Sequence, residues 1–247
     1  MAAPIVSRVD DRVVRIGTWI VNWYLLSDDE GVTVVDAAVP GYRRQLDAGL
    51  AELGRAASDV KAVVLTHAHA DHVGCAEQLR TELGVPVYVH PADEELATTG
   101  KAFGKTDASM VPYLRHAMSW RLLLELGRNG GMKPPKIGEV QSYADGDELP
   151  VPGRPRVVHT PGHTPGHCSL AAGDVIFAGD ALCTLNPLTG VRGPQLMPSA
   201  FNHSTGQALE SLDRLAATQA RVVLPGHGDP VKEPQTAIDE ARRRGPT

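Results

Sequence analysis

The stretch LTHAHADHVG, residues 65–74, contains four side chains of types that commonly bind metal ions. Three are the imidazoles of His67, His69 and His72, and the fourth is the carboxylate of Asp71. Imidazole together with carboxylate suits zinc, iron or manganese, and the stretch offers no thiolate before Cys75. An extended segment would point His67 and His69 the same way, because they are two residues apart. Asp71 and His72 would diverge from that pair where the chain turns into a helix, which indicates two metal ions side by side.

Three later segments each offer one more ligand where a predicted strand ends in a loop of small residues. The three candidates are His163 in HTPGHTPGH (159–167), Asp180 in FAGD (177–180) and His227 in LPGHG (224–228). Loops at the carboxyl ends of strands are the usual place for ligand groups in α/β proteins. His167, in the first of these segments, is predicted to have a structural or supporting role.

The surrounding elements alternate between strands and helices, which predicts an α/β layered fold. Strands are predicted within 12–36, at 60–65 and at 85–90, helices at 41–54 and from about Asp71 to Gly84, and a second β-rich block after 139 with helices at 204–218 and within 232–244. Residues 92–139 differ because their apolar residues follow a helical period. This segment is predicted to be a helical insertion between two strand regions.

The composition indicates which classes of binding partner to expect. The 247 residues carry a net charge of −5 and no cluster of five or more Lys or Arg, so charge does not suggest nucleic acid. No apolar run approaches the roughly 18 residues of a membrane helix, and the first residues do not resemble a signal peptide. Three cysteines are an odd and sparse count, which favours a reducing, cytoplasmic location. We therefore expect a small-molecule substrate, with no nucleic-acid or membrane partner, and a monomer or homodimer.

The ligand pattern resembles the metallo-β-lactamase superfamily of metallohydrolases. The resemblance consists of H-x-H-x-D-H at 67–72 followed by His163, Asp180 and His227 in the family's order, and it covers nearly the whole chain except 92–139. It implies a four-layer αββα sandwich, in which two mixed β-sheets are flanked by helices. It also implies a single domain over 1–247, with the insertion at about 92–139 acting as a lid or an interface.

The resemblance also implies how the ligands are divided between two divalent metal ions. The first ion would be held by His67, His69 and His163, the second by Asp71, His72 and His227, and Asp180 would bridge them. The ions are expected to be Zn²⁺, with iron or manganese also compatible with these ligands. A hydroxide shared by the two ions would attack the carbonyl of an ester, thioester or lactone, and Asp71 could pass a proton to the leaving group. Asp71 and Asp180 are therefore the predicted catalytic residues.

Other residues are candidates for supporting roles. Thr66, Asp36 and Thr164 are predicted to orient the imidazole ligands through hydrogen bonds. The substrate pocket is predicted to include Cys183, His203 and Trp120.

Sequence differences from related enzymes indicate which activities are disfavoured. β-Lactamases of this fold place Cys or Ser where Asp180 stands, so β-lactam hydrolysis is expected to be weak at most. We expect no long helical C-terminal domain like that of glyoxalase-II-like thioesterases after His227, and Cys183 stands where lactonases often have a Tyr. One alternative is an oxidoreductase like the persulfide dioxygenases, with one iron, although their Gly-Arg pair after the bridging Asp is missing. A second alternative is a binding protein with a vestigial metal site, which the complete set of seven candidate ligands disfavours.

Overall fold

A computed structural model describes residues 3–245, which form thirteen strands and seven α-helices. The strands are β1 (Ile5–Arg8), β2 (Val13–Gly17), β3 (Asn22–Asp28), β4 (Gly31–Val35), β5 (Val60–Val64), β6 (Val87–Val89), β7 (Gln141–Ser142), β8 (Arg156–His159), β9 (Cys168–Ala172), β10 (Val175–Gly179), β11 (Cys183–Leu185), β12 (Arg192–Gln195) and β13 (Val222–Pro225). The helices are α1 (Arg44–Leu53), α2 (Ala70–Val73), α3 (Ala76–Leu83), α4 (Glu94–Thr99), α5 (Ala117–Arg128), α6 (Thr205–Ala217) and α7 (Pro234–Arg244).

The strands form two large mixed sheets and one hairpin. The first sheet has seven strands in the order β1 to β7, antiparallel from β1 to β4 and parallel from β4 to β7. The second has the order β13-β10-β9-β8, in which β10 and β13 are parallel and the other pairs are antiparallel. β8, β10 and β13 therefore all end at the same edge of the second sheet, and β11 pairs with β12 separately.

Three apolar cores separate four layers, which confirms the predicted αββα sandwich. Val13 on β2 belongs to the core between the two sheets, whereas the next residue, Val14, belongs to the core under α1, α3 and α5. Phe177 and Ile176 on β10 divide in the same way between the central core and the core under α6 and α7. This alternation follows from the two-residue period of a strand, which points successive side chains to opposite faces.

The helix predicted from about Asp71 to Gly84 is interrupted, and this part of the prediction was wrong. The chain forms α2 and α3 with a break at Gly74 and Cys75, whose amides donate to the carbonyls of Ala38 and Ala37 at 2.7 and 2.8 Å. A side chain at Gly74 would meet the Cα atom of Val39 at 2.5 Å. The break therefore packs the metal-binding segment tightly against the loop that follows β4.

The insertion at 92–139 contains α4, α5 and a 3-10 turn at Val111–Arg115, joined by irregular segments. It packs on the outer side of the first sheet, because Leu122 and Leu126 of α5 belong to the core beneath α1 and α3. Within residues 3–245, the structure has no helix of the length and apolarity needed to cross a membrane.

Candidate metal centre

All seven predicted metal ligands meet at one edge of the sandwich, at or just beyond strand ends. His67 and His69 follow β5, and Asp71 and His72 lie on the short helix α2. From the second sheet come His163 on the loop after β8, Asp180 directly after β10 and His227 after β13. Six of the seven are buried, and the Asp71 side chain is 14% exposed. Both sheets therefore contribute to one site.

Asp180 lies at the centre of this group. Its Oδ2 atom is 3.1 Å from His163 Nε2, 3.2 Å from His227 Nε2 and 3.9 Å from His67 Nε2. Its Oδ1 atom is 3.6 Å from His72 Nε2. One carboxylate thus faces imidazoles on both sides, as a bridging ligand would.

The ligand atoms divide into clusters that could each hold a metal ion. Within each cluster the ligand atoms lie within 4.8 Å of one another, and the clusters are His67 with His69 and His163, Asp71 with His72 and His227, and His67 with His72 and Asp180. The first two are the groups that the family resemblance implies, and the third connects them. His69 Nδ1 lies 2.8 Å from His163 Nε2.

Four buried polar atoms at the centre lack hydrogen-bond partners among residues 3–245. They are the Nε2 atoms of His67, His72 and His227 and Oδ1 of Asp180. Leaving such atoms unpaired in the interior costs about 1–3 kcal/mol each, so native proteins rarely do so without a reason. Divalent cations bound at this centre would satisfy all four, and imidazole with carboxylate is a donor set that such ions accept. The residues present therefore fit a metal site.

Burial and neighbouring charges shift the pKa values of the site. Burial, reinforced by the adjacent imidazoles, lowers the pKa of His67 and His69 well below 6.5, so both rings are neutral and can donate a lone pair. Burial alone would lower the pKa of His72, but the carboxylates of Asp36 and Asp180 outweigh it and raise this pKa to about 10. Burial disfavours the charge of Asp180, yet the surrounding imidazoles hold its pKa well below 3.8.

Asp36 and Thr66 orient two of the imidazoles, as predicted. The Asp36 carboxylate lies 2.8 Å from His72 Nδ1 and accepts hydrogen bonds from the amide and hydroxyl of Thr66. The Thr66 hydroxyl is also 3.0 Å from His67 Nδ1. Asp36 has a left-handed backbone with φ 61°, which is strained for a residue other than glycine. These bonds leave the Nε2 atoms of His67 and His72 facing the centre.

Two further partners of the imidazoles were not predicted from the sequence. The side chain of Asn202 lies with Oδ1 3.0 Å from Nδ1 of His163, and its amide nitrogen is held by the carbonyl of Met197 at 2.9 Å. The backbone carbonyl of Ile20 pairs with Nδ1 of His227. Both contacts join segments far apart in the chain, so the spacing of residues gave no signal for them.

The prediction that Thr164 orients an imidazole was wrong. Its hydroxyl donates to Asp93 Oδ2 at 2.6 Å. Asp93 is buried and also accepts from the amides of Ala68 at 3.1 Å and Gly166 at 2.8 Å. One carboxylate therefore ties the loop of His67 and His69 to the loop of His163.

His167 positions Asp180, which confirms its predicted supporting role. Its Nε2 atom accepts the backbone N–H of Asp180 at 2.9 Å, and its Nδ1 atom lies 2.9 Å from the hydroxyl of Thr160. Burial, with a smaller contribution from His163, lowers the pKa of His167 to about 3. The ring is consequently neutral and serves as an acceptor near the metal ligands.

A small inner cavity of about 20 Å³ lies directly over the ligands. The ligands on its wall are His69, Asp71, His163, Asp180 and His227. Its remaining wall is apolar and consists of Phe103, Leu122, Leu126, Pro187, Met197 and Phe201. Phe103 packs edge-on against His69 at 5.1 Å between ring centroids and stacks on Phe201 at 5.6 Å. The insertion thus supplies an apolar cap for the site.

Of the three predicted pocket residues, only His203 lines a cavity beside the ligands. It belongs to an outer cavity of about 220 Å³, whose wall includes His69 and His163. Trp120 is 59% exposed and donates its indole N–H to the carbonyl of Leu114. The helical period explains its position, because it lies two residues from Leu122 and four from Leu124 on the outer face of α5. Cys183 is fully buried, with its thiol directed at the carbonyl of Gln195.

Comparisons with known proteins agree with this geometry. The family model described as the metallo-beta-lactamase superfamily matches residues 16–227, which include all seven ligands. The crystal structure of a metallo-beta-lactamase family protein from Thermus thermophilus is similar with a TM-score of 0.65 and 30% identity. That match covers 99% of this chain and 78% of the Thermus chain.

Two curated relatives have names that describe hydrolases. Probable metallo-hydrolase YflN of Bacillus subtilis (strain 168) is 32% identical over 184 residues, covering 70% of this chain and 66% of that protein. Hydroxyacylglutathione hydrolase of Alkalilimnicola ehrlichii is 29% identical over 217 residues, covering 87% of this chain and 65% of that protein. The chain therefore spans just under two thirds of each of these relatives.

Proposed function

Because the chain belongs to the metallo-beta-lactamase superfamily, we propose that it is a hydrolase that uses two divalent metal ions to cleave small esters, thioesters or lactones. One observation carries the proposal: seven inward-facing ligands form two clusters on either side of the Asp180 carboxylate. A site for a single ion would not need two such clusters, since structural and catalytic zinc sites use three or four protein ligands.

The ligands divide between two ions, expected to be Zn²⁺. His67, His69 and His163 would hold one, Asp71, His72 and His227 would hold the other, and Asp180 would contact both. When bound, the ions would lower the pKa of a coordinated water to about 7 and polarise a carbonyl oxygen. The chain's contribution is to orient the ligands through Asp36, Thr66 and Asn202.

Asp71 is the residue of the site best placed to move a proton. It lines the inner cavity, it is the most exposed of the seven ligands, and its Oδ2 atom is 3.5 Å from His227 Nε2. A carboxylate at this place can accept a proton and pass it to a departing alkoxide or thiolate. The apolar cap formed by Phe103, Leu122 and Leu126 excludes water from the opposite side of the substrate.

The names of the relatives favour an acyl substrate. A metallo-hydrolase and a hydroxyacylglutathione hydrolase are both similar to this chain over most of its length. The alternative with one iron is disfavoured because Asp71, His72 and His227 converge on the same centre instead of pointing away from it. Cleavage of β-lactams would be a minor activity of the same ligands.

Turnover on a panel of substrates tests the proposal. The protein would be stripped of metal with a chelator, reloaded with Zn²⁺, Mn²⁺ or Fe²⁺, and assayed on a small ester, a thioester, a lactone and a β-lactam. We expect hydrolysis of at least one acyl substrate that disappears on stripping and returns on reloading. Oxygen uptake with a persulfide substrate, and no hydrolysis by any loaded form, would replace this proposal with the one-iron oxidoreductase.

A further inference from the structure

A further group of side chains of metal-binding types lies between the two sheets and shares no residue with the seven ligands. Its members are His90, His159 and Cys168, whose ligand atoms lie within 4.8 Å of one another. His90 directly follows β6 of the first sheet, whereas His159 ends β8 and Cys168 begins β9 of the second. The group therefore spans both sheets, as the metal centre does, but it contains a thiol, which the seven ligands of that centre do not.

Strand pairing and ring stacking hold the three side chains together. His159 and Cys168 are direct partners in the antiparallel pairing of β8 with β9, so their side chains lie on the same face of the second sheet. That face packs on the first sheet, because Cys168 belongs to the central core together with Val157. The His90 ring stacks on the His159 ring, with 4.6 Å between the centroids and 7° between the planes. The group is therefore assembled by the packing of one sheet on the other.

The hydrogen bonds of the two rings leave lone pairs that an ion could use. His159 Nε2 lies 3.0 Å from the carbonyl of Pro165, so this nitrogen donates its hydrogen and the lone pair is on Nδ1. His90 Nδ1 accepts the amide of Ala92 at 3.2 Å, a long bond at an exposed position, where water can replace the imidazole as acceptor. Burial, with a smaller contribution from His159, lowers the pKa of His90, which keeps this ring neutral.

We propose that His90, His159 and Cys168 form a binding site for the soft monovalent cation Cu⁺, with two imidazoles and one thiolate as its ligands. Thiolate together with imidazole is a donor set that copper and zinc prefer. Because burial raises the pKa of the Cys168 thiol, the free side chain keeps its proton and releases it to solvent as the copper–sulfur bond forms. The inference goes beyond the proposed function and does not depend on it, since none of the seven ligands takes part.

Ligand number and charge favour Cu⁺ over Zn²⁺ at this site. Structural zinc sites almost always have four protein ligands, and the two carboxylates that act on His90, Asp93 and Asp145, are already bonded. Asp93 accepts three hydrogen bonds, and Asp145 pairs with Arg214 at 2.6 Å. One thiolate neutralises the single charge of Cu⁺ but would leave a charge of +1 with Zn²⁺. An uncompensated charge is costly beside a side chain as fully buried as Cys168.

Competition with a copper chelator tests the site. Protein preloaded with Zn²⁺ would be titrated with Cu⁺ without oxygen in the presence of bicinchoninate, whose coloured complex reports the copper that the protein does not bind. We expect one Cu⁺ per chain to be withheld from the chelator and to stay bound when more Zn²⁺ is added. No uptake of Cu⁺, or its displacement by Zn²⁺, would overturn the proposal. Failure of the preloading itself, measured as zinc content, would instead count against the proposed function.

Two variants each remove one ligand from the group. Cys168→Ser removes the thiol, and His90→Phe removes the ring nitrogens but keeps an aromatic ring stacked on His159. Each should weaken Cu⁺ binding by more than the roughly 10–100-fold typical of losing an outer partner of a ligand. Cys75→Ser is the matched control, because Cys75 is also a buried free thiol and lies outside the group. Wild-type affinity in His90→Phe, or an equal loss in Cys75→Ser, would contradict the assigned ligands.

X-ray absorption at the copper edge identifies the ligand atoms without any substitution. The sample would be the Zn²⁺-preloaded wild-type protein with one equivalent of Cu⁺ added. We expect one sulfur and two nitrogen neighbours around the copper. Nitrogen and oxygen neighbours alone would place the ion among the seven ligands of the metal centre, which include no sulfur, and would overturn the proposal.

Discussion

Among the single side chains of the site, Asp180 has the central position. It is the one ligand whose two oxygens face imidazoles from both clusters. Its own position is set by the backbone bond to His167. If two ions bind as proposed, replacing Asp180 should disturb both proposed metal positions at once, whereas replacing another ligand should disturb one.

Asp180→Asn keeps the shape of the side chain but removes the charge that faces both clusters. We expect kcat/KM to fall by more than the roughly 10–100-fold typical of losing an outer partner of a metal ligand. Metal content by elemental analysis should fall as well. Asp174→Asn is the control, since Asp174 precedes the same strand, β10, and its side chain is 73% exposed. Near-normal kcat/KM and metal content in Asp180→Asn would contradict a bridging role.

Asp93→Ala should destabilise the protein even though Asp93 is not itself one of the seven metal ligands. The change leaves the buried amides of Ala68 and Gly166 without their acceptor. At about 1–3 kcal/mol for each of the two unpaired amides, the free energy of unfolding should fall by about 2–6 kcal/mol. Urea unfolding of metal-free protein measures this without a contribution from metal binding. The exposed neighbour Glu94, changed to Gln, should alter it by less than about 1 kcal/mol, and equal effects would contradict the assigned bonds.

The convergence of the seven candidate ligands could be predicted from the sequence, because the pattern H-x-H-x-D-H and the later His163, Asp180 and His227 are distinctive. Asp93 could not, because it lies in a helix-like segment and its role depends on two loops that meet only in the folded chain. Cys183 and Trp120 were predicted to line the pocket because of their side-chain types. Cys183 is instead buried in the core, and Trp120 lies on the outer face of α5, so neither lines a cavity at the site.

At the scale of elements, strand ends and tight loops hold the ligands in place. Most strands and helices could be predicted from the alternation of apolar runs and helical periods, whereas their order within the two sheets was not predicted. The break between α2 and α3 could not, since it depends on hydrogen bonds from Gly74 and Cys75 to the distant residues Ala38 and Ala37. Helical periodicity alone continues through such a break.

Leu126→Ala tests the contact between α5 and the site. Leu126 is buried in the core and lines the inner cavity, so its truncation should lower the free energy of unfolding by about 2–5 kcal/mol. Leu124 is the matched control, because it lies on the same helix and is 53% exposed. Its change to Ala should have an effect within about 0.5 kcal/mol. Thermal or urea unfolding of both variants measures the difference, and equal losses would contradict the orientation of α5.

Gly226→Ala tests how closely the loop after β13 approaches the ligands. An added Cβ atom would lie 2.3 Å from Asp180 Oδ1 and 2.8 Å from His72 Cε1, so one or both side chains would have to move. We expect metal affinity, measured by competition with a chromogenic chelator, to fall at least about tenfold. Gly206→Ala is the control, since no atom outside its own helix lies within 4 Å of the new Cβ among the described residues. Wild-type affinity in Gly226→Ala would contradict the close approach.

At the scale of the whole molecule, the metal centre connects the two halves of the sandwich. Four ligands follow the first sheet and three follow the second, so binding a metal depends on correct packing of both sheets. The four layers could be predicted through the family resemblance. The sequence left two roles open for residues 92–139, lid or interface, because their period gives a helix but not the surface on which it packs.

Metal removal should therefore destabilise the entire fold. A ligand that binds only the folded chain adds about 4 kcal/mol when its concentration is 1,000 times its Kd. We expect a cooperative thermal unfolding transition whose midpoint falls on stripping and recovers on reloading. The recovery should be much smaller in Asp180→Asn, which serves as the control for nonspecific effects of metal. An unchanged midpoint after complete stripping would contradict the connection between the centre and the fold.

The number of metal ions bound per chain distinguishes a site for two ions from a site for one. Metal-free protein at known concentration would be titrated with Zn²⁺ and analysed by elemental analysis and by native mass spectrometry. We expect two ions per chain in the wild type, with fewer retained when Asp71, His72 or His227 is replaced by Ala. Saturation at one ion per chain, unaffected by those replacements, would contradict a site for two ions.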